Sequence, residues 1–193
     1  MIVELRQYTL HPGRRDELIE LFERELLAPQ EAVGMRVVGT FRDQARPNVF
    51  VWIRSFPDMA ARRASLEAFY FGSVWRAHRD AANATMVDSD DVLLLRGDLP
   101  QRELVRAPLC AAVYAAPVDV PGALARWETE TSANTFPRLP VRTGEHVVVL
   151  VDGGRALAAH PAQLIELVPT ARSRLRYAPS SVSIATSPSR NVG

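Results

Sequence analysis

Between Val49 and Phe56 the side chains alternate without a break. Val49, Val51 and Ile53 take one side of an extended chain, and Phe50, Trp52, Arg54 and Phe56 take the other. A strand with apolar groups on both faces needs cover on both, so it must sit inside a layered structure. The small aliphatics suit packing against helices, and the aromatics with Arg54 suit a wider space. Ile2 to Thr9 repeats the pattern, with Val3, Leu5, Gln7 and Thr9 opposite Ile2, Glu4, Arg6 and Tyr8. Between these strands, His11-Pro12-Gly13 makes a turn, and Leu18, Leu21, Phe22 and Leu26 form a helical stripe that ends before Pro29. Gly34 to Arg42 reads as a second strand, joined through Arg46-Pro47-Asn48 to the third as a hairpin. Pro57-Asp58 opens a helix through Met59, Leu66 and Phe69. Gly72-Ser73 restarts it with Ser73 as N-cap, and Trp75, His78, Arg79, Ala82 and Met86 share one face. Val92 to Arg96 is a fourth strand. The order β-α-β-β-α-β is that of a ferredoxin-like unit.

Composition removes several classes of function. The formal net charge is +1 with basic residues scattered, which gives no footprint for nucleic acid or an anionic membrane. No apolar run reaches the roughly 18 to 20 residues that span a bilayer, and the N-terminus has no export signal, so a cytoplasmic location is expected. A single cysteine, Cys110, rules out an internal disulfide and any multi-cysteine metal site. All 23 basic side chains are arginine, so there is no lysine for a Schiff base or a P-loop. His11, His78, His146 and His160 stand far apart, and no metal is expected.

Gly97 to Ala107 reads as a linker (98–107) between an N-terminal unit, 1–97, and a shortened repeat, 108–177. In that repeat Leu109 to Ala115 resembles the first strand, Pro121 to Thr129 a short helix, Glu145 to Asp152 the third strand and Gln163 to Val168 the fourth. Most of the second helical segment is missing. Residues 178–193, rich in Ser and Pro, read as a disordered tail. The expected fold class is therefore α+β: tandem ferredoxin-like βαββαβ repeats forming a pseudo-dimer of the dimeric α+β barrel type, the second repeat truncated. On this plan Glu4, Arg6, Tyr8, Phe41, Phe50, Trp52, Arg54 and Phe56 point into the barrel, with Tyr70, Trp75, His78 and Arg79 near a rim. Buried charges such as Glu4, Arg6 and Arg54 must pair with one another or await a ligand.

One family brings several of these segments together. The run Glu4-Leu5-Arg6-Gln7-Tyr8-Thr9-Leu10-His11-Pro12-Gly13, then Gly39-Thr40-Phe41, Phe50-Val51-Trp52-Ile53-Arg54-Ser55-Phe56, Phe69-Tyr70 with Trp75, Ala82-Asn83-Ala84, and Leu164 to Leu175 with its Pro-Thr-Ala-Arg-Ser-Arg-Leu ending resemble the NIPSNAP family. The resemblance covers most of the first half and is fainter in the second. It implies a dimeric α+β barrel, a fold shared with cofactor-free monooxygenases, small isomerases and cyclases, and haem-binding enzymes. It supplies no agreed catalytic residues.

Three functions follow as expectations. In the first, a cofactor-independent enzyme of the monooxygenase, isomerase or cyclase type acts on a planar or acidic metabolite. Arg54, His78 and Tyr8 are its catalytic candidates, and Glu4, Arg6, Phe41, Trp52, Tyr70, Trp75, Arg79 and Asn83 its ligand-binding ones. The second is a non-catalytic binding or scaffold protein with the same pocket, and the third a haem protein with His78 as axial ligand. Against these stand plainer roles: a core network of Arg6, Tyr8, Trp52 and Arg54 that binds nothing, a half-exposed helix histidine at His78, a backbone-bonding Asn83 and a core Cys110. The truncated repeat leaves a sheet face less covered, which predicts a homodimer.

Overall fold

The computed structural model describes residues 1–105, 107–118, 120–153 and 160–177. β1 (Ile2–Leu10) is followed by α1 (Arg15–Leu21), a π-helical stretch (Phe22–Leu26) and α2 (Leu27–Ala32), which together make one continuous helical segment. β2 (Arg36–Asp43) and β3 (Val49–Phe56) come next, then α3 (Met59–Tyr70), α4 (Ser73–Asn83) and β4 (Met86–Gly97). The rest is β5 (Leu104–Val105), β6 (Leu109–Tyr114), β7 (Ala125–Thr129), β8 (Val148–Gly153), β9 (Gln163–Pro169) and β10 (Arg176–Tyr177).

Eight strands close into one barrel in the order β1-β3-β2-β9-β6-β8-β7-β4. Within it the first half contributes β4-β1-β3-β2 and the second β9-β6-β8-β7, so the first half's strand order recurs in the second. Antiparallel pairing of β2 with β9 and of β4 with β7 joins them, which leaves neither half with an open edge. The expected linker is not bare chain, because β5 pairs with β10 in a small separate sheet.

Several expectations need correction. Pro121 to Thr129 is not a helix; its latter part is strand β7, so among the described residues every helix belongs to the first half. Met86 starts β4 and does not continue α4, because the chain leaves the helix at Ala84 and Thr85. Gly72, not Ser73, stands at the N-cap of α4, and no side chain caps that end. The first helix does not stop before Pro29. Proline lacks an N–H and its ring excludes the carbonyl four residues back. The π-helical turn, in which the Leu27 N–H bonds the Phe22 carbonyl, resets the ladder, and Pro29 falls in the first turn of α2, where no N–H is required.

The largest correction concerns the faces of the barrel. Its interior is filled by Val3, Leu5, Val51, Ile53, Leu93 and Leu95 from the first half and by Ala111, Val113, Val149, Val151, Ile165 and Leu167 from the second, with Phe41 and Trp127. Ile2, Tyr8, Phe50, Trp52 and Phe56 pack instead on the outer face, beneath Leu18, Phe22, Leu26, Leu66 and Phe69 of the helices. An eight-stranded barrel has just enough interior for its own side chains, so the aliphatics fit inside. The larger rings and charges occupy the deeper layer between sheet and helix. Phe41 is thus a core residue and not a ligand contact.

Candidate functional site

The outer face of the first half carries a buried charge cluster fixed by strand register. β1 pairs with β3 so that Glu4 faces Arg54 and Arg6 faces Trp52. Glu4 accepts from three guanidiniums: Arg6 Nη1 at 2.6 Å and Arg54 Nε at 2.7 Å on one oxygen, Arg62 Nε of α3 at 2.6 Å on the other. All four residues are at most 1% exposed. Burial alone would push the Glu4 carboxyl up, but Arg54, Arg6 and Arg62 outweigh it and hold it far below the carboxylate range. Burial pulls the Arg62 guanidinium down more than Glu4 restores it. Three positive charges against one negative leave the cluster two positive charges in excess. Part of that excess rests on ring faces, with Arg54 Cζ 4.9 Å from the Trp52 ring and Arg6 Cζ 5.4 Å from that of Tyr8. The remaining donors are incompletely used. Arg54 Nη1 donates to Gln30 Oε1 at 3.3 Å, while Arg54 Nη2, Arg62 Nη2 and Trp52 Nε1 are buried without a partner among the described residues.

Beside this cluster, between sheet and helices, lies a cavity of about 80 Å³. Tyr8 and Trp52 form its floor, Phe22 and Gln30 one wall, Tyr70 and Trp75 another, and Asn83 with Ser89 its polar edge. The Tyr8 oxygen accepts from Arg6 Nε at 3.0 Å, which leaves its hydroxyl hydrogen free to donate. Burial raises the Tyr8 phenol above its ordinary value despite the opposing pull of Arg6, so it is a hydrogen-bond donor at neutral pH. A volume of 80 Å³ is below the about 150 Å³ of a cavity that holds benzene. In this conformation the space suits a few waters, and a ring-sized guest requires one wall to move.

The structure thus brings Tyr8, Trp52, Tyr70, Trp75 and Asn83 to the cavity and sets Glu4, Arg6 and Arg54 directly behind its wall. It does not bring His78, Arg79 or Phe41 there. His78 is partly exposed with Nε2 3.7 Å from Glu25 Oε2, and Arg79 is exposed beside Asp80. Both lie off the cavity because α4 presents Trp75 and Ala82 inward and turns the intervening residues toward the π-helical stretch Phe22–Leu26 and solvent. Haem ligation at this cavity therefore loses the residue on which it rested.

Sequence reasoning missed several contributors, among them Gln30, Arg62 and Leu139. Gln30 lies beyond Pro29, where the helix was expected to have ended. Arg62 sits at helical spacing between Met59 and Leu66, and an arginine on that apolar stripe was the available signal. Leu139 arrives from the β7–β8 connection of the second half, with no local pattern to announce it.

Residues 3–96 match the family model of NIPSNAP. Among solved structures the chain is similar to an uncharacterized NIPSNAP-like domain protein from Burkholderia xenovorans, with 29% identity, 48% of this chain and 83% of that one covered, and a TM-score of 0.44. It is similar to a NIPSNAP family protein from Agrobacterium tumefaciens at 21% identity, covering 48% of this chain and 90% of that one, TM-score 0.45. A crystal structure described as a candidate monooxygenase from Lactobacillus acidophilus is 14% identical and covers 78% of this chain and 76% of that one, with a TM-score of 0.50. At that identity the likeness is one of fold. No curated protein matches the chain.

Proposed function

We propose, from the match of residues 3–96 to the NIPSNAP family model, that the chain binds a small planar molecule with an acidic oxygen and acts on it without a cofactor, as a cytoplasmic monooxygenase-, isomerase- or cyclase-type enzyme. The observation that carries this reading is the cavity floor. Trp52 lines the cavity and carries a buried indole N–H with no acceptor among the described residues, Tyr8 beside it has an O–H free to donate, and two uncompensated positive charges stand behind them. Such a surface stabilises an oxyanion more than its neutral acid. Among the described residues no carboxylate or histidine lines the cavity, so the acid ionises by losing its proton to solvent water, and the field of Arg54 and Arg6 favours the resulting anion. Tyr8 and Trp52 hold the oxygen, and Arg54 acts as a positioning residue through Trp52.

A chromogenic phenol tests it. 4-Nitrophenol bound to the protein should titrate about one to two units lower than in solution, read from the visible phenolate band. A phenol that does not bind, or that binds in its neutral form, refutes the reading. The missing base also supports a second reading, a non-catalytic ligand-binding protein, which would return its ligand unchanged after long incubation.

The recurrence of strand order supports reading the barrel as two ferredoxin-like units in one chain, 1–97 and 108–177, the second without a helix among its described residues. The outer face of that second unit has no helix over it among the described residues, and Leu164 on it is 49% exposed. Two chains would meet there as a homodimer, and light scattering that returns a single chain's mass at micromolar concentration would exclude this.

A further inference from the structure

From the placement of one turn we infer that the second half supplies the gate of the first half's cavity, with Leu139 as the residue that sets the size of guest admitted. Its ligand arm rests on the reading above. The β7–β8 connection leaves the barrel, runs along β4 through hydrogen bonds from Glu130 N to Leu94 O and from Arg142 N to Val92 O, and folds a turn over the helices of the first half. The turn is self-contained: Asn134 Oδ1 accepts from the Phe136 N–H at 3.0 Å and Asn134 Nδ2 donates to the Leu139 carbonyl at 2.9 Å. Phe136 is buried against Tyr70 and Phe71, at centroid separations of 5.9 and 6.0 Å. Leu139 completes the cavity wall.

What joins this turn to the first half distinguishes it from the other walls. The helices and strands around the cavity are held by backbone ladders within their own elements. The 134–139 turn is attached by side chains: Arg62 Nη1 donates to Asn134 Oδ1 at 3.0 Å and to Thr135 Oγ1 at 3.3 Å, and Thr135 Oγ1 reaches the Met59 carbonyl at 3.4 Å. Segments held to their neighbours without backbone hydrogen bonds open before those in a ladder. The turn is therefore the wall that moves to admit a ring, and Arg62, whose Nε is fixed on Glu4, is its latch.

The test uses the full chain. Acrylamide quenching of tryptophan fluorescence reports access to Trp75 and Trp52 at the cavity, while Trp127 stays shielded inside the barrel. Leu139→Ala and, through the latch, Asn134→Ala should each raise the quenching constant at least about twofold, and Thr143→Ala, exposed in the same connection, should not. Quenching unchanged in Leu139→Ala overturns the gate. Calorimetric titration with benzoate and 2-naphthoate gives the second arm: the native chain should prefer benzoate, and Leu139→Ala should shift that preference toward 2-naphthoate by about tenfold. An unshifted preference overturns Leu139 as size filter. If neither acid binds any form, the acid-binding function fails, while the quenching result still decides the gate.

Discussion

Glu4 is the residue on which the charge cluster depends. Its carboxylate is the shared acceptor of Arg6, Arg54 and Arg62, all buried, and removing one partner of a buried ionic set costs far more than the set itself is worth. Glu4→Gln should destabilise the fold by about 3–5 kcal/mol, measured by urea unfolding. The pH dependence has a definite sign. Because the folded carboxyl is held below its unfolded value of 4.5, its contribution is fully present above that pH and is lost as the solution is acidified below it. Stability of the native chain should therefore fall on acidification below about pH 4.5, and Glu4→Gln should make that fall shallower. An equally steep decline in both forms would mean other carboxylates control it. The existence of a buried charged set was legible in Glu4, Arg6 and Arg54, whose alternation with apolar residues put them on a covered face. Their partners were not. Arg62 comes from a distant helix, and no spacing within β1 or β3 points to it.

At the scale of elements, strands were more legible than helix ends. β3 and the core of β1 follow from alternation alone, since period 2 has one structural meaning over eight residues. The first helix was cut short because Pro29 was read as a stop, and a π-helical turn evaded that rule. β7 was mistaken for a helix because Trp127 and its neighbours gain their strand form from pairing with β4 and β8, not from propensity. β2 carries a constraint of its own at Gly39. A Cβ there would lie 2.3 Å from the Phe41 ring and 3.1 Å from Ser173 Oγ, where the β2–β3 register shifts. Gly39→Ala should displace Phe41 from the barrel interior and cost about 1–3 kcal/mol, read as a lowered melting temperature. A melting temperature equal to that of the native chain would show that the ring can swing aside freely.

For the whole molecule, closure is the decisive fact. The first half alone would expose the edges of β2 and β4 together with Val3, Leu5, Val51, Ile53, Leu93 and Leu95, which the second half covers. A fragment of residues 1–97 should consequently self-associate, and sedimentation should find a dimer or larger species; a folded monomer would contradict the account. Among the described residues no helix is long and apolar enough to cross a membrane.

What the sequence determined by itself was the local alphabet: which stretches extend or coil, in what order, and which residues share a face. Periodicity encodes that within a few neighbours. Which face turns inward, and that a turn from 134–139 closes a cavity lined by residues from β1 and β3, was decided only by tertiary structure. Two faces of a strand are equivalent until volume is counted on each side, and the barrel's narrow interior takes the aliphatic one, leaving the rings and guanidiniums for the layer under the helices.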